Sequence, residues 1–154
     1  MSSDVMANLK RAAAAAKMES GRARILIGAI GELCPLAPSN DELTWAPHYG
    51  QRHPHECFTR AAHFIIDNFH SLPDETALVH GVLHRTGISH AWVLLPGHVL
   101  FDGFVQRYYD AGDYHRSLDA EAERTYPMKE AMARILKTRN FGPWHDSAGL
   151  GVPA

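Results

Sequence analysis

A cysteine, a histidine and an aspartate occur in an order that suits nucleophilic chemistry. Cys57 stands at the start of an amphipathic run, "ECFTRAAHFIIDNF". His90 opens an apolar segment, "HAWVLL". Asp102 closes the next one, "HVLFD". A thiol at a helix N-terminus feels the positive end of the helix dipole, which favours the thiolate. A nearby imidazole can take its proton, and a carboxylate can fix the tautomer and ring plane of that imidazole. Gln51 lies six residues before Cys57. Its side-chain amide and the Cys57 backbone N–H are the candidate donors to an oxyanion. Tyr49, His55 and Trp92 are the candidate substrate contacts.

Each residue also has a plainer reading. A lone helical cysteine is usually a small buried hydrophobe. His90 reads equally as a satisfied strand histidine, Asp102 as a strand-ending turn residue, and Gln51 as an exposed loop residue. The order of the three main residues favours the chemical reading. Cys34, followed by Pro35, suggests no partner and reads as structural.

The elements must place these groups together. "DVMANLKRAAAAAKM" favours helix by composition, and "RARILIGAIGEL" carries a helical apolar spacing, with strand as an alternative. Residues 34–56 hold four prolines and many turn formers, and read as a long irregular segment. From about His55 to Phe69, Phe58, Ala61, Ala62, Ile65 and Phe69 share one helical face. Three short strands follow, over 77–84, 90–95 and 98–102, as an antiparallel meander. Residues 104–116 are ambiguous, and 117–124 suggest a helical turn or two. "PMKEAMARILKT" is a helix opened by Pro127, and the tail from residue 145 reads as flexible.

The parity of one loop decides whether His90 and Asp102 can meet. A three-residue loop at Pro96-Gly97-His98 pairs Leu95 with Val99 and Trp92 with Asp102. His90 and Asp102 are then diagonal neighbours on one sheet face. A two-residue loop sets Asp102 opposite Ala91, on the wrong face.

The stretches "GQRHPHECFTRAA", "SHAWVLL" and "HVLFDGF" together resemble the core of the papain-like and transglutaminase-like cysteine enzymes. The resemblance covers about residues 50 to 104. It implies an α+β fold, with the cysteine-bearing helix packed on a short antiparallel sheet and flanked by N- and C-terminal helices. It implies a Cys57–His90–Asp102 triad, with Gln51 at the position of the papain-type glutamine. The implied activity is cysteine-dependent acyl transfer at an amide or isopeptide bond through a thioacyl intermediate, as a peptidase, amidase or deamidase. Glutamine transamidation and a non-catalytic protein-binding module on the same fold are the alternatives. A protein or peptide is the expected substrate, with no cofactor.

Composition sets outer limits. A chain of 154 residues suits one domain with a real core. Its net charge of −2 argues against nucleic acid or an anionic membrane as partner. No apolar stretch nears the roughly 20 residues that cross a bilayer, and no secretory pattern opens the chain, so the expected location is cytoplasmic. Two cysteines make no disulfide framework and are expected as free thiols. Eleven histidines raise a metal site as an alternative, through His53 and His55 or His80 and His84 with a thiol. Those spacings match no closed zinc set, and no metal is expected.

Overall fold

The computed structural model describes residues 2–44 and 56–144. Gln51, Tyr49, His53, His55 and the tail from residue 145 lie outside the described residues.

The chain begins with two helices, α1 (Ser2–Ala16) and α2 (Ser20–Gly31), as composition and spacing predict. The segment expected to be irregular contains a two-residue strand, β1 (Leu33–Cys34), and a short helix, α3 (Asn40–Thr44). Helix α4 (Glu56–Asn68) follows and buries Cys57, Phe58, Ala61, Ala62 and Ile65. These positions follow one another at one- and three-residue steps, the stripe by which an amphipathic helix meets a sheet. Then come β2 (Ala77–Leu83), β3 (Ile88–Leu95), β4 (Val99–Asp102) and β5 (Arg107–Asp110). Helix α5 (Ala111–Leu118), strand β6 (Ala120–Pro127) and helix α6 (Met128–Thr138) complete the described chain.

The architecture is α+β, but the sheet is neither short nor wholly antiparallel. It has six strands in the order β1-β5-β4-β3-β2-β6. β1 runs parallel to β5, and the other neighbours are antiparallel. Residues 117–124, expected as helical turns, are the end of α5 and the start of β6. Strand β6 is mostly exposed and rich in Ala and Glu, which are poor strand formers. Its backbone pairing with β2 makes it a strand, with Glu123 as the extra residue of a bulge opposite His80 and Gly81.

Helices cover both faces of the sheet. On one face, Phe58, Ala61 and Ile65 of α4 pack with Leu26 of α2, Ala131 of α6, and Leu78, Ala91 and Val93 of the strands. On the other, Tyr114 and Leu118 of α5 and Leu43 of α3 pack with Val79, Trp92, Leu100 and Tyr109. Burial on both sides explains why β2 and β3 read as almost continuous apolar runs.

Two glycines set the geometry that matters for the site. Leu95 pairs with Val99, so the loop between β3 and β4 has three residues. Gly97 and His98 both take positive φ there, at 78° and 65°. Helix α1 lies directly on this turn, since a Cβ on Gly97 would come within 2.8 Å of the Arg11 Cα. The Arg11 guanidinium is buried and pairs with Asp110, the residue that caps α5. Gly103 lies at the other end of β4. A Cβ on it would stand 2.9 Å from the backbone of Arg60 and Ala61, so α4 presses on the chain just after Asp102.

Gly103→Ala should therefore destabilise the fold. Helix backbone cannot move aside as a flexible side chain can, and overpacking of this kind costs about 1–3 kcal/mol. An unchanged urea midpoint for this variant would contradict the close approach.

Candidate active site

His90 and Asp102 meet inside the protein. Register carries Val93 opposite Phe101, and continuing it by one residue sets Trp92 opposite Asp102, with His90 diagonal to it. His90 Nε2 lies 3.0 Å from Asp102 Oδ2, and the two side chains are 1% and 0% exposed. A carboxylate only accepts, so Nε2 carries the proton of this bond. That assignment leaves Nδ1 as the second ring nitrogen, buried and without a hydrogen-bond partner among the described residues.

Cys57 is a neighbour of the His90 ring. It is the second residue of α4, so its backbone N–H has no acceptor within the helix. Its sulfur is buried and makes one long contact to the Ser89 carbonyl, at 3.9 Å. Ser89 directly precedes His90, so the thiol sits against the strand at the histidine. Cys57 interacts with the ring closely enough to raise the proton affinity of the imidazole.

The electrostatics of the pair run against its burial. Desolvation alone would push the His90 pKa down. The facing Asp102 carboxylate, its hydrogen bond and then Cys57 outweigh this and raise it to about 10. Burial would likewise push Asp102 up. His90, the Tyr114 hydroxyl and the Phe104 N–H overcome it and hold the carboxyl below its usual range. The pair is thus a buried ion pair, stabilised by directed donors.

Asp102 is more fully held than the sequence suggests. Its Oδ1 accepts from the backbone N–H of Phe104 at 2.8 Å and of Val105 at 3.4 Å. Its Oδ2 accepts from the Tyr114 hydroxyl at 2.7 Å as well as from His90. Sequence reasoning missed Tyr114, because the segment that holds it reads ambiguously. A signal was present. Asp110 and Asp113 are spaced as a helix cap and its first turn, and the Asp113 N–H donates to Asp110 Oδ2 at 2.9 Å. Starting the helix at Ala111 sets Tyr114 and Leu118 on one inward face.

Trp92 shares the sheet face of His90, as the period-two alternation predicts, but it is 1% exposed. Its indole packs against Tyr114 and His115, with the His90 ring 6.4 Å away. It braces the pair from within the core. The Phe104 ring meets His90 edge-on, also at 6.4 Å. Tyr109 is buried in the same cluster.

The remaining histidines scatter. His80 is buried among Phe58, Tyr126 and Trp144 on the α4 face of the sheet. His84 is at the surface and pairs with Glu121 at 2.7 Å. Among the described residues, no group of three or more His, Cys, Asp or Glu side chains is placed to hold a metal ion. Both cysteines are free thiols. No described helix is long and apolar enough to cross a membrane. Comparison of the chain with protein-family models, with curated proteins and with solved structures finds no match.

Proposed function

We propose that the protein is a cysteine-dependent acyl-transfer enzyme with a papain- or transglutaminase-like core, acting in the cytoplasm on an amide or isopeptide bond of a protein or peptide. The observation that carries this reading is the asymmetry of His90. One ring nitrogen is tied to a buried carboxylate, the other has no hydrogen bond of ordinary length among the described residues, and the Cys57 thiol acts on the ring from beside it. A merely structural buried histidine would be expected to satisfy both nitrogens.

In the proposed reaction, His90 enters in its charged form, its Nδ1 proton having come from Cys57 before substrate binds, and the sulfur reacts as the thiolate of that pair. The sulfur attacks the carbonyl carbon, forming the S–C bond and placing negative charge on the oxygen. The Cys57 N–H at the start of α4 and the Gln51 amide donate to that oxyanion. The C–N bond then breaks, and the leaving amine takes the proton from Nδ1. Water, or a second amine, attacks the thioester and releases Cys57, with His90 taking and returning a proton again. Asp102 keeps Nε2 protonated throughout, so that Nδ1 does the work.

Alkylation tests this directly. Cys34 is partly exposed and Cys57 is only 7% exposed. By access alone, iodoacetamide should modify Cys34 first. The proposal expects Cys57 to be modified first, and His90→Ala to slow that modification by about 10²-fold, the lower range for loss of a positioned base. Faster labelling of Cys34 together with indifference of Cys57 to His90→Ala would sink the reading.

A further inference from the structure

We infer that Tyr114 is a positioning residue for this site: its hydroxyl holds the Asp102 carboxylate in place and draws on the oxygen that serves His90, and so limits how tightly the imidazole keeps its proton. The inference rests on the reading of His90 and Asp102 as the proton-handling pair of the enzyme.

The geometry is specific. Asp102 has four donors, and they divide unequally by kind. Two backbone N–H groups, from Phe104 and Val105, lie on Oδ1. The two side-chain donors, His90 Nε2 at 3.0 Å and the Tyr114 hydroxyl at 2.7 Å, share Oδ2. The tyrosine contact is the shorter. Both side chains that compete for Oδ2 are fully buried, so bulk solvent does not reach the shared oxygen. Burial and the neighbouring carboxylate keep the phenol protonated, so it stays a donor.

Sharing one oxygen has a predictable effect. A hydrogen bond donated to a carboxylate withdraws negative charge from it. The Tyr114 hydroxyl therefore weakens the hold of Asp102 on the His90 proton. A catalytic imidazole must release that charge to a leaving group, and one held too strongly is a poor acid. The hydroxyl thus both fixes the carboxylate and moderates it.

Among the described residues, the other groups able to carry charge on the elements around the ring are few. Cys57 comes from α4, Tyr109 from β5 and His115 from α5. Tyr109 packs on the Tyr114 ring, and His115 packs on Trp92 and donates Nδ1–H to the Ala111 carbonyl. Neither contact requires the Tyr114 hydroxyl, so removing it leaves them in place.

The test is a titration of the His90 ring by NMR in the full chain, needing no substrate. Tyr114→Phe keeps the buried ring and removes only the hydroxyl. The His90 midpoint should rise by about 0.5–1 pH unit, a three- to tenfold gain in proton affinity. In an Asp102→Asn background the same change should move it by much less, because the carboxylate that links the two is gone. A midpoint that stays or falls in Tyr114→Phe would overturn the inference, as would an equal rise in the Asp102→Asn background. The titration is repeated with Cys57→Ala. A rise that persists there upholds the role of Tyr114 toward His90 even where alkylation has refuted Cys57 as nucleophile, so the two failures are told apart.

Discussion

Asp102→Ala should be among the most destabilising single changes in this chain, lowering unfolding free energy by about 3–5 kcal/mol, the usual cost of breaking a buried ion pair from one side. The loss has a clear origin. The carboxylate is 0% exposed and takes hydrogen bonds from His90, Tyr114 and the Phe104 N–H. Removing it leaves these three of its four donors inside the protein with nothing to replace them, and each unsatisfied group costs its own desolvation. His90 responds by giving up its charge more easily, since only Cys57 then opposes the effect of burial.

Asp102→Asn separates charge from shape. Its amide oxygen can still accept from the Phe104 N–H. Its NH₂ group can donate to the Tyr114 oxygen and to a His90 that carries its proton on Nδ1. The expected loss is smaller, about 1–2 kcal/mol. The proposed chemistry should suffer more than the fold, because the tautomer is now wrong, with Nδ1 protonated and no longer able to accept from Cys57. Urea denaturation of the two variants checks the order. Equal loss for Ala and Asn would mean that the carboxylate is held less tightly than its four contacts imply.

What could be read from the sequence followed from what each element depends on. Helices α1, α2, α4 and α6 show themselves through local composition or through apolar spacing, and neither needs a distant partner. The β2–β3–β4 meander shows itself through apolar runs separated by turn residues. Strand β1 has two residues and exists because Leu33 and Cys34 pair with Tyr108 and Tyr109, more than seventy positions along the chain. Strand β6 has no apolar alternation, and only the free edge of β2 makes it a strand. The helices on the second face of the sheet were the hardest to see, and Tyr114 belongs to one of them.

The site divides in the same way. The approach of His90 to Asp102 depends on loop parity, which is a local property of Pro96-Gly97-His98. The four-donor setting of Asp102 depends on the turn at Gly103 and on α5, so it emerges only with the tertiary fold. Helix α1 adds to this. Arg11 sits on the turn that sets parity and pairs with Asp110, which caps the helix carrying Tyr114. One buried cation therefore ties together both ends of the arrangement, from a segment that composition alone describes as a generic helix.

The ion pair should also set how stability varies with pH. The folded pKa of His90 is raised, to about 10, above its ordinary value near 6.5. Its contribution is therefore fully present below about pH 6.5 and is lost as pH climbs toward 10. The folded pKa of Asp102 is lowered, so its contribution is present above the ordinary carboxylate range and is lost as acid protonates the folded form. Between these limits, around pH 5–6.5, the pair contributes most. From there to pH 10 the wild type should lose on the order of 3–5 kcal/mol, following the size of the His90 shift. Other groups titrate in the same range, so the informative quantity is a difference. Subtracting the curve for Asp102→Asn cancels the groups that the substitution does not touch. The wild type should be the more stable at pH 6, and the gap should shrink steadily toward pH 10. Parallel curves for the two proteins would mean that His90 and Asp102 do not titrate as a buried pair. A gap that widens with pH would reverse the sign of the linkage and place the proton elsewhere in the site.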